Sequence, residues 1–264
     1  MSNSCGRSKI YCDESIHDRA GFILTALVVT DVDIDKSVDA AFLEAGLTPG
    51  IDEFKSSNKM ANNPKLQQLR RDLNGVVYAA NSSLALVIST RDERMIIAEQ
   101  AVDLIAHMMK FGRFKGHDVD VVFDQGIKTS NAKNKGKKYK KLSNSTISGN
   151  QNSKIMRGLQ IADHCAHVAS TILLSDLGIV QKKIPAGDDM PFDPDEMLEL
   201  EYLLWSDLGY ALASNIPSYP GKDRRPTYFT EFDPFGLYIS RACQSSLIEA
   251  IVQRFGNIYM GCIL

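Results

Sequence analysis

The run FILTALVVT at residues 22–30 constrains the fold more than any other segment. It is nearly continuous in apolar residues, as expected of a strand covered on both faces. KIYCDES at residues 9–15 is a second β-rich run, and the polar stretch between them is short enough for a hairpin connection. Further strands are expected at residues 84–90 (LALVIST) and 119–124 (VDVVFD). Helical spacing places Val38, Phe42 and Ala45 on one side of residues 35–45, with Gly46 as the stop. Residues 64–80 carry Pro64 in a first turn and an apolar stripe of Leu66, Leu69, Leu73 and Val76. Thr90-x-x-Glu93 has the form of a capping box before a helix with Ile97, Ala101, Ile105 and Met108 inward. A second long helix is expected at 155–175, apolar at Ile155, Leu159, Ala162, Ala166, Ala169 and Leu173.

Two strands followed by helices alternating with strands indicate an α/β fold with a mixed sheet flanked by helices. The reading divides the chain into a core at residues 1–182 and a helical C-terminal extension at 183–264, packed on that core. In the extension, Asp193-Pro194-Asp195-Glu196 looks like an acidic cap opening a helix through Trp205 to Ala213. A Pro-rich loop at 214–234 and a last helix at 236–255 follow. No apolar run approaches the ~18 residues needed to span a bilayer, and no signal-peptide pattern is present. Five widely spaced cysteines without a C-x-x-C pair read as reduced thiols in a cytoplasmic protein.

The 264 residues carry 30 Lys+Arg and 32 Asp+Glu, a formal charge of −2 that by itself suggests no particular partner. That average hides an asymmetry. Residues 125–162 contain no acid, eight lysines and one arginine. Setting those nine aside leaves 21 basic against 32 acidic residues, so the remainder carries −11. Lys128, Lys133, Lys135, Lys137, Lys138, Lys140 and Lys141 cluster within a Lys-rich loop expected at about 127–154. Such a run is either a solvated loop or an arm for a phosphate backbone. The stretch 187–207 is its opposite, with eight acids and no base, which the preference of acids for helix N-termini explains.

The candidate chemistry centres on carboxylates. Asp13 falls at the end of the first strand, on the face of Tyr11 and Ser15, whereas Glu14 points the other way with Cys12. Asp124 closes the strand at 119–124. Side by side and parallel, the two strands bring both acids to the sheet edge where α/β folds bind ligands. On the helix at 155–175, Gln160, Asp163 and His167 form a polar stripe, and an Asp inside LQIADHCAHVA is costly unless paired. In Glu53-Phe54-Lys55 the two charged residues share a side if the segment is extended, as a site element or as a surface ion pair. Two like charges ~4 Å apart repel by about 4 kcal/mol at an effective dielectric of 20, so convergence of these acids requires cations. Hard oxygen donors suit Mg²⁺ or Mn²⁺, and such ions support in-line phosphoryl displacement. His164-Cys165-x-His167 cannot turn three ligands onto one zinc from four helical residues. No nucleophile elbow, G-x-G-x-x-G or P-loop is present.

The order Y-x-D-E-S, E-x-K, a strand ending in Asp and R-G-L-Q-I-A-D resembles the prokaryotic "domain of unknown function 3800" family over residues 9–175. The resemblance implies a ribonuclease-H-like fold and a metal-dependent nuclease site. Its first acid falls on Asp13, its Glu–Lys pair on Glu53 and Lys55, its central-strand acid on Asp124, and its helix pair on Gln160 and Asp163. Ile16 stands where the family usually has Gly. The leading expectation is therefore a nuclease in which Asp13, Asp124, Asp163 and Glu53 hold Mg²⁺ or Mn²⁺. Lys55 would act on a phosphate, Gln160 would orient a ligand or water, and the lysines would bind DNA or RNA. The alternatives are a non-catalytic nucleic-acid or protein binding module and a restriction-type nuclease centred on Glu53-x-Lys55.

Overall fold

The computed structural model describes residues 7–56, 58, 63–110, 118–187, 191–215, 229–256 and 258–261. Strands β1 (Arg7–His17) and β2 (Phe22–Thr30) form the expected hairpin, with Asp13 opposite Ala26. Gly21 closes the turn at φ +74, a conformation open to glycine at little cost. All nine residues of β2 are buried, because helices cover both faces of the sheet. Helices α1 (Asp35–Glu44) and α2 (Pro64–Ala79) follow, α2 capped by the Asn63 side chain, which accepts from the Leu66 N–H at 3.2 Å. Strand β3 (Ser83–Thr90) leads through a 3₁₀ turn at Arg91–Ile96 into α3 (Ile97–Met108). The turn delays the helix beyond the capping box, in which the Glu93 carboxylate accepts from the Thr90 N–H at 3.0 Å.

After β4 (Asp118–Asp124) the structure departs from the expected Lys-rich loop. Residues 130–138 form α4 (Ser130–Lys138), and 146–151 form the edge strand β5 (Thr146–Gln151). Only Ala132 and Gly136 of α4 are buried, so the helix seats on small residues and leaves Lys133, Lys137 and Lys138 outward, while Lys135 turns to Asp103. Helix α5 (Gly158–Asp176) completes this half.

The C-terminal part is also built differently from expectation. A small ladder, β6 (Lys183–Pro185) with β7 (Met197–Glu199), follows instead; the acids at 193–196 lie in the turn before β7, and α6 (Leu200–Leu208) starts only after it. Strands β8 (Ser214–Asn215), β9 (Phe229–Pro234) and β11 (Ile258–Gly261) form a second sheet, ordered β11-β9-β8. The expected helix at 236–255 is instead a strand and a short helix, β10 (Leu237–Ile239) and α7 (Ser245–Ile251), continued by a π turn.

The main sheet has the order β10-β3-β2-β1-β4-β5. Strand β2 runs antiparallel to both β1 and β3, β4 and β5 run parallel to β1, and β10 runs parallel to β3. The α/β class is thus as expected: a mixed six-stranded sheet flanked by helices. One face packs on α1, α2, α5, α6 and α7 around Tyr11, Phe42, Leu73 and Leu173. The other packs on α3 and α4 around Ile10, Val87, Ile105 and Phe123. Cys12, Cys165 and Cys243 are buried free thiols. No described helix is long and apolar enough to cross a membrane.

Candidate functional site

The parallel register of β1 and β4 ends at Cys12 opposite Phe123, so Asp13 and Asp124 are the next pair along the two strands. Alternation turns both toward α5, since Tyr11 and Val122 lie in the α5-side core while Cys12 and Phe123 lie in the opposite one. Asp163 comes to the same place from α5, one turn beyond Gln160. Asp13 and Asp124 are buried, at 7% and 8% exposure, and Asp163 is partly buried.

The segment carrying Glu53 and Lys55 is tied to α5 by three bonds. The buried Gln160 Oε1 accepts from the Phe54 N–H at 2.7 Å, and its Nε2 donates to the Ser153 carbonyl at 3.0 Å. The Asp163 carboxylate accepts from the Ser56 N–H at 2.8 Å and the Ser56 hydroxyl at 2.6 Å. Lys55 Nζ lies 2.9 Å from Glu53 Oε1, which also accepts from the Ser153 hydroxyl at 2.5 Å. Both polar ends of Gln160 are thereby taken by backbone, and its visible work is to position the Glu53–Lys55 segment.

The electrostatics bind these residues into one group. Burial, then repulsion from Asp124, Asp163 and Glu14, pushes the Asp13 carboxyl up to about 9. Burial likewise holds Asp124 above its usual range, with Asp163 and Glu53 adding to the rise and Lys55 opposing it. Asp163 is raised by burial and by Glu53, against the Ser56 bonds and Lys55. Burial works to lower Lys55, yet Glu53, Asp124 and Asp163 outweigh it and hold the ammonium above its ordinary value. For Glu53, burial is outweighed by Ser153, Lys55 and Lys154, and its carboxyl is lowered.

Glu14 lies apart, as its place in the strand alternation requires. Its side chain is 8% exposed and faces Arg94 at 3.7 Å. Burial nevertheless lifts it to about 7, against Arg94 and with a push from Asp124. Ser56 and Ser153 bond to the group and Lys154 acts on Glu53, and none carries a sequence signal that separates it from ordinary loop residues.

Among the described residues no three His, Cys, Asp or Glu side chains close to ligating geometry. The chemistry of the donor set nonetheless fits a hard divalent cation. Asp13, Asp124 and Asp163 are buried or partly buried, electrostatically coupled carboxylates, and Lys55 acts on Asp124, Asp163 and Glu53. The zinc-like His164-Cys165-x-His167 pattern is occupied otherwise. His164 meets Asn74 Oδ1 at 2.5 Å, and burial pushes His164 and His167 down to about 3 and about 4.

Only Lys128 of the basic cluster follows Asp124 closely in the chain. Lys133, Lys135, Lys137 and Lys138 sit on α4, which packs beside α3 on the other face of the sheet. Lys140 and Lys141 lie in the turn before β5, whose first residue, Thr146, pairs with Asp120.

No known protein family profile matches the chain, and no curated protein does. Among solved structures, a chain of the PCNA:RNase HII complex from Archaeoglobus fulgidus is similar at 16% identity and a TM-score of 0.38. That match covers 83% of this chain and 97% of the other.

Proposed function

We propose that this protein is a Mg²⁺- or Mn²⁺-dependent nuclease that hydrolyses phosphodiester bonds of DNA or RNA. The observation that supports the reading is the electrostatic coupling of Asp13, Asp124 and Asp163, carried by two parallel strands and one helix, each carboxyl raised by burial and by its acidic neighbours. Such a group is stable when a divalent cation compensates it. The likeness of Asp13-Glu14-Ser15, Glu53-x-Lys55 and Gln160-x-x-Asp163 to the domain of unknown function 3800 supports the same reading.

Asp13, Asp124 and Asp163 would hold the cation, with Glu53 as a fourth oxygen donor. When bound, the ion would supply an activated water and stabilise charge on the phosphoryl oxygens. Lys55, kept protonated by Glu53, Asp124 and Asp163, would supply the positive charge that acts on a scissile phosphate. Gln160 and Ser56 hold Lys55 in that place through the Phe54 and Ser56 backbone.

The test is cleavage of labelled DNA and RNA with Mg²⁺, with EDTA and with Asp13→Asn. Turnover that persists in EDTA and in the variant would refute the proposal. A second reading has its own support: both Asp163 oxygens are taken by Ser56, as in a binding module whose acids are structural. Salt-dependent binding with no metal-dependent turnover would select it.

A further inference from the structure

We infer that the basic helix α4 and the turn after it form a second nucleic-acid contact site, remote from the carboxylates and on the opposite face of the sheet. The inference rests on the nuclease reading for its ligand class but not for its geometry.

The chain leaves β4 at Asp124 and must return to the level of Asp120 to start β5. Helix α4 therefore runs back along the sheet, away from the carboxylate edge. Four strand residues correspond to roughly 13 Å along β4, and a layer of packing adds on the order of 10 Å across the sheet. Lys137, Lys138, Lys140 and Lys141 thus lie on the order of 15–20 Å from Asp124. That straight-line separation is about five steps at 3.4 Å, so a 6-mer has no length to spare for any path around the sheet.

Lys128, Lys133, Lys137, Lys138, Lys140 and Lys141 are exposed, and none makes an ion pair among the described residues. Lys135 differs, with its Nζ 2.5 Å from Asp103, which also accepts from the Tyr139 hydroxyl at 2.5 Å. This pair anchors the helix to α3 beside a cleft of about 460 Å³, lined by Glu99, Asn131, Asn134, Lys135, Lys138 and Tyr139. Asn131 and Asn134 offer neutral amides and Lys138 a charge, a set suited to a sugar–phosphate unit. A strand reaching from Lys55 to this cleft has to go around the sheet, whose nearer edge strand is β5. Oligonucleotides too short to make that passage engage one site at a time, and longer ones gain from linking both.

The experiment compares nuclease-resistant phosphorothioate DNA of 24 and 6 nucleotides, bound to the full chain in Ca²⁺ and followed by fluorescence anisotropy. Three proteins are used: wild type, Lys137→Gln/Lys140→Gln/Lys141→Gln, and the charge-matched Lys36→Gln/Lys65→Gln/Lys182→Gln. The first variant is expected to lower the 24-mer to 6-mer affinity ratio at least tenfold. Its log-affinity slope against log salt on the 24-mer should become shallower by about 2, at roughly 0.7 per lost contact. The charge-matched variant should keep the wild-type ratio. An unchanged ratio, or one that falls equally in both variants, overturns the inference. Cleavage of ordinary 24-mer with Mg²⁺, measured alongside, separates the two hypotheses. Cleavage with an unchanged ratio removes only the second site, and a collapsed ratio without cleavage removes only the nuclease.

Discussion

Asp163 on α5 holds Ser56 twice, accepting its N–H at 2.8 Å and its hydroxyl at 2.6 Å. The residue before Ser56 is Lys55, so the acid proposed to bind a cation also fixes the lysine proposed to meet the phosphate. Ser56 is 8% exposed, and its two bonds oppose the rise that burial imposes on the Asp163 carboxyl.

Removing one of these bonds has a defined cost. Ser56→Ala leaves the N–H bond and deletes the hydroxyl, and a hydrogen bond to a charged group is worth about 1.5–3 kcal/mol. The variant should lose stability by about that amount in denaturant unfolding at pH 7. The Asp163 carboxyl should titrate higher than in wild type by carboxylate-resolved NMR. A carboxyl that titrates lower would show that Ser56 does not stabilise the ionised form.

Asp13 gives a pH dependence with a definite sign. Its carboxyl is pushed up to about 9, first by burial and then by Asp124, whereas the unfolded chain ionises it near 4. Between those values the unfolded state has released the proton and the folded state retains it. This group's contribution to stability therefore falls as pH rises from about 4 to about 9, and is level outside that window. Asp13→Asn removes the penalty. It should stabilise the metal-free protein at pH 8 by on the order of a few kcal/mol and change little near pH 3. Equal effects at both pH values would show that the Asp13 carboxyl does not titrate in this window.

A cation acting on the same group should reverse that trend. At 100 times its dissociation constant a ligand that binds only the folded state adds about 2.7 kcal/mol. For a chain of this size that is on the order of 5–10 °C in Tm. Mg²⁺ or Mn²⁺ should therefore raise Tm at pH 8 by several degrees in wild type and much less in Asp124→Asn. Equal shifts in both proteins would place the ion elsewhere.

How much of this was legible in the sequence depends on the range of the forces involved. Asp13 and Asp124 were legible because strand alternation is local and each closes an apolar run. Asp163 stood out as an acid within an apolar helix. Helix α4 was not legible: Asn, Lys, Ser and Gly resemble a solvated loop, and only Ala132 and Gly136 face inward. Its stability comes from α3 and from the Lys135–Asp103 pair, 32 residues apart in sequence. Strand β10 was read as helix because its pairing with β3 lies about 150 residues away, at Leu237 opposite Leu86. The Ser56 and Ser153 contacts depend on where loops come to rest, which spacing does not encode.

Gly158 sets the distance between the layers that carry the site. It opens α5, and a Cβ built there would fall within van der Waals range of the Tyr11 ring, too close to Cε2, Cζ and Cδ2 to be accommodated. Tyr11 is fully buried on β1, two residues before Asp13, and cannot swing out. Alanine would gain about 1 kcal/mol of helix propensity over glycine. Overpacking a rigid core typically costs 1–3 kcal/mol and occasionally more, so the net effect of Gly158→Ala should be a loss of stability. The strain is relieved by moving the start of α5 away from β1, which carries Gln160 and Asp163 away from Asp13. Metal-dependent cleavage should therefore fall more than stability does, about tenfold or more at temperatures where the variant remains folded. Tyr11→Leu in the Gly158→Ala background makes room for the methyl and should recover part of the cleavage while remaining less stable than wild type. Recovery of stability without recovery of cleavage would show that the spacing of α5 from β1 does not control the site.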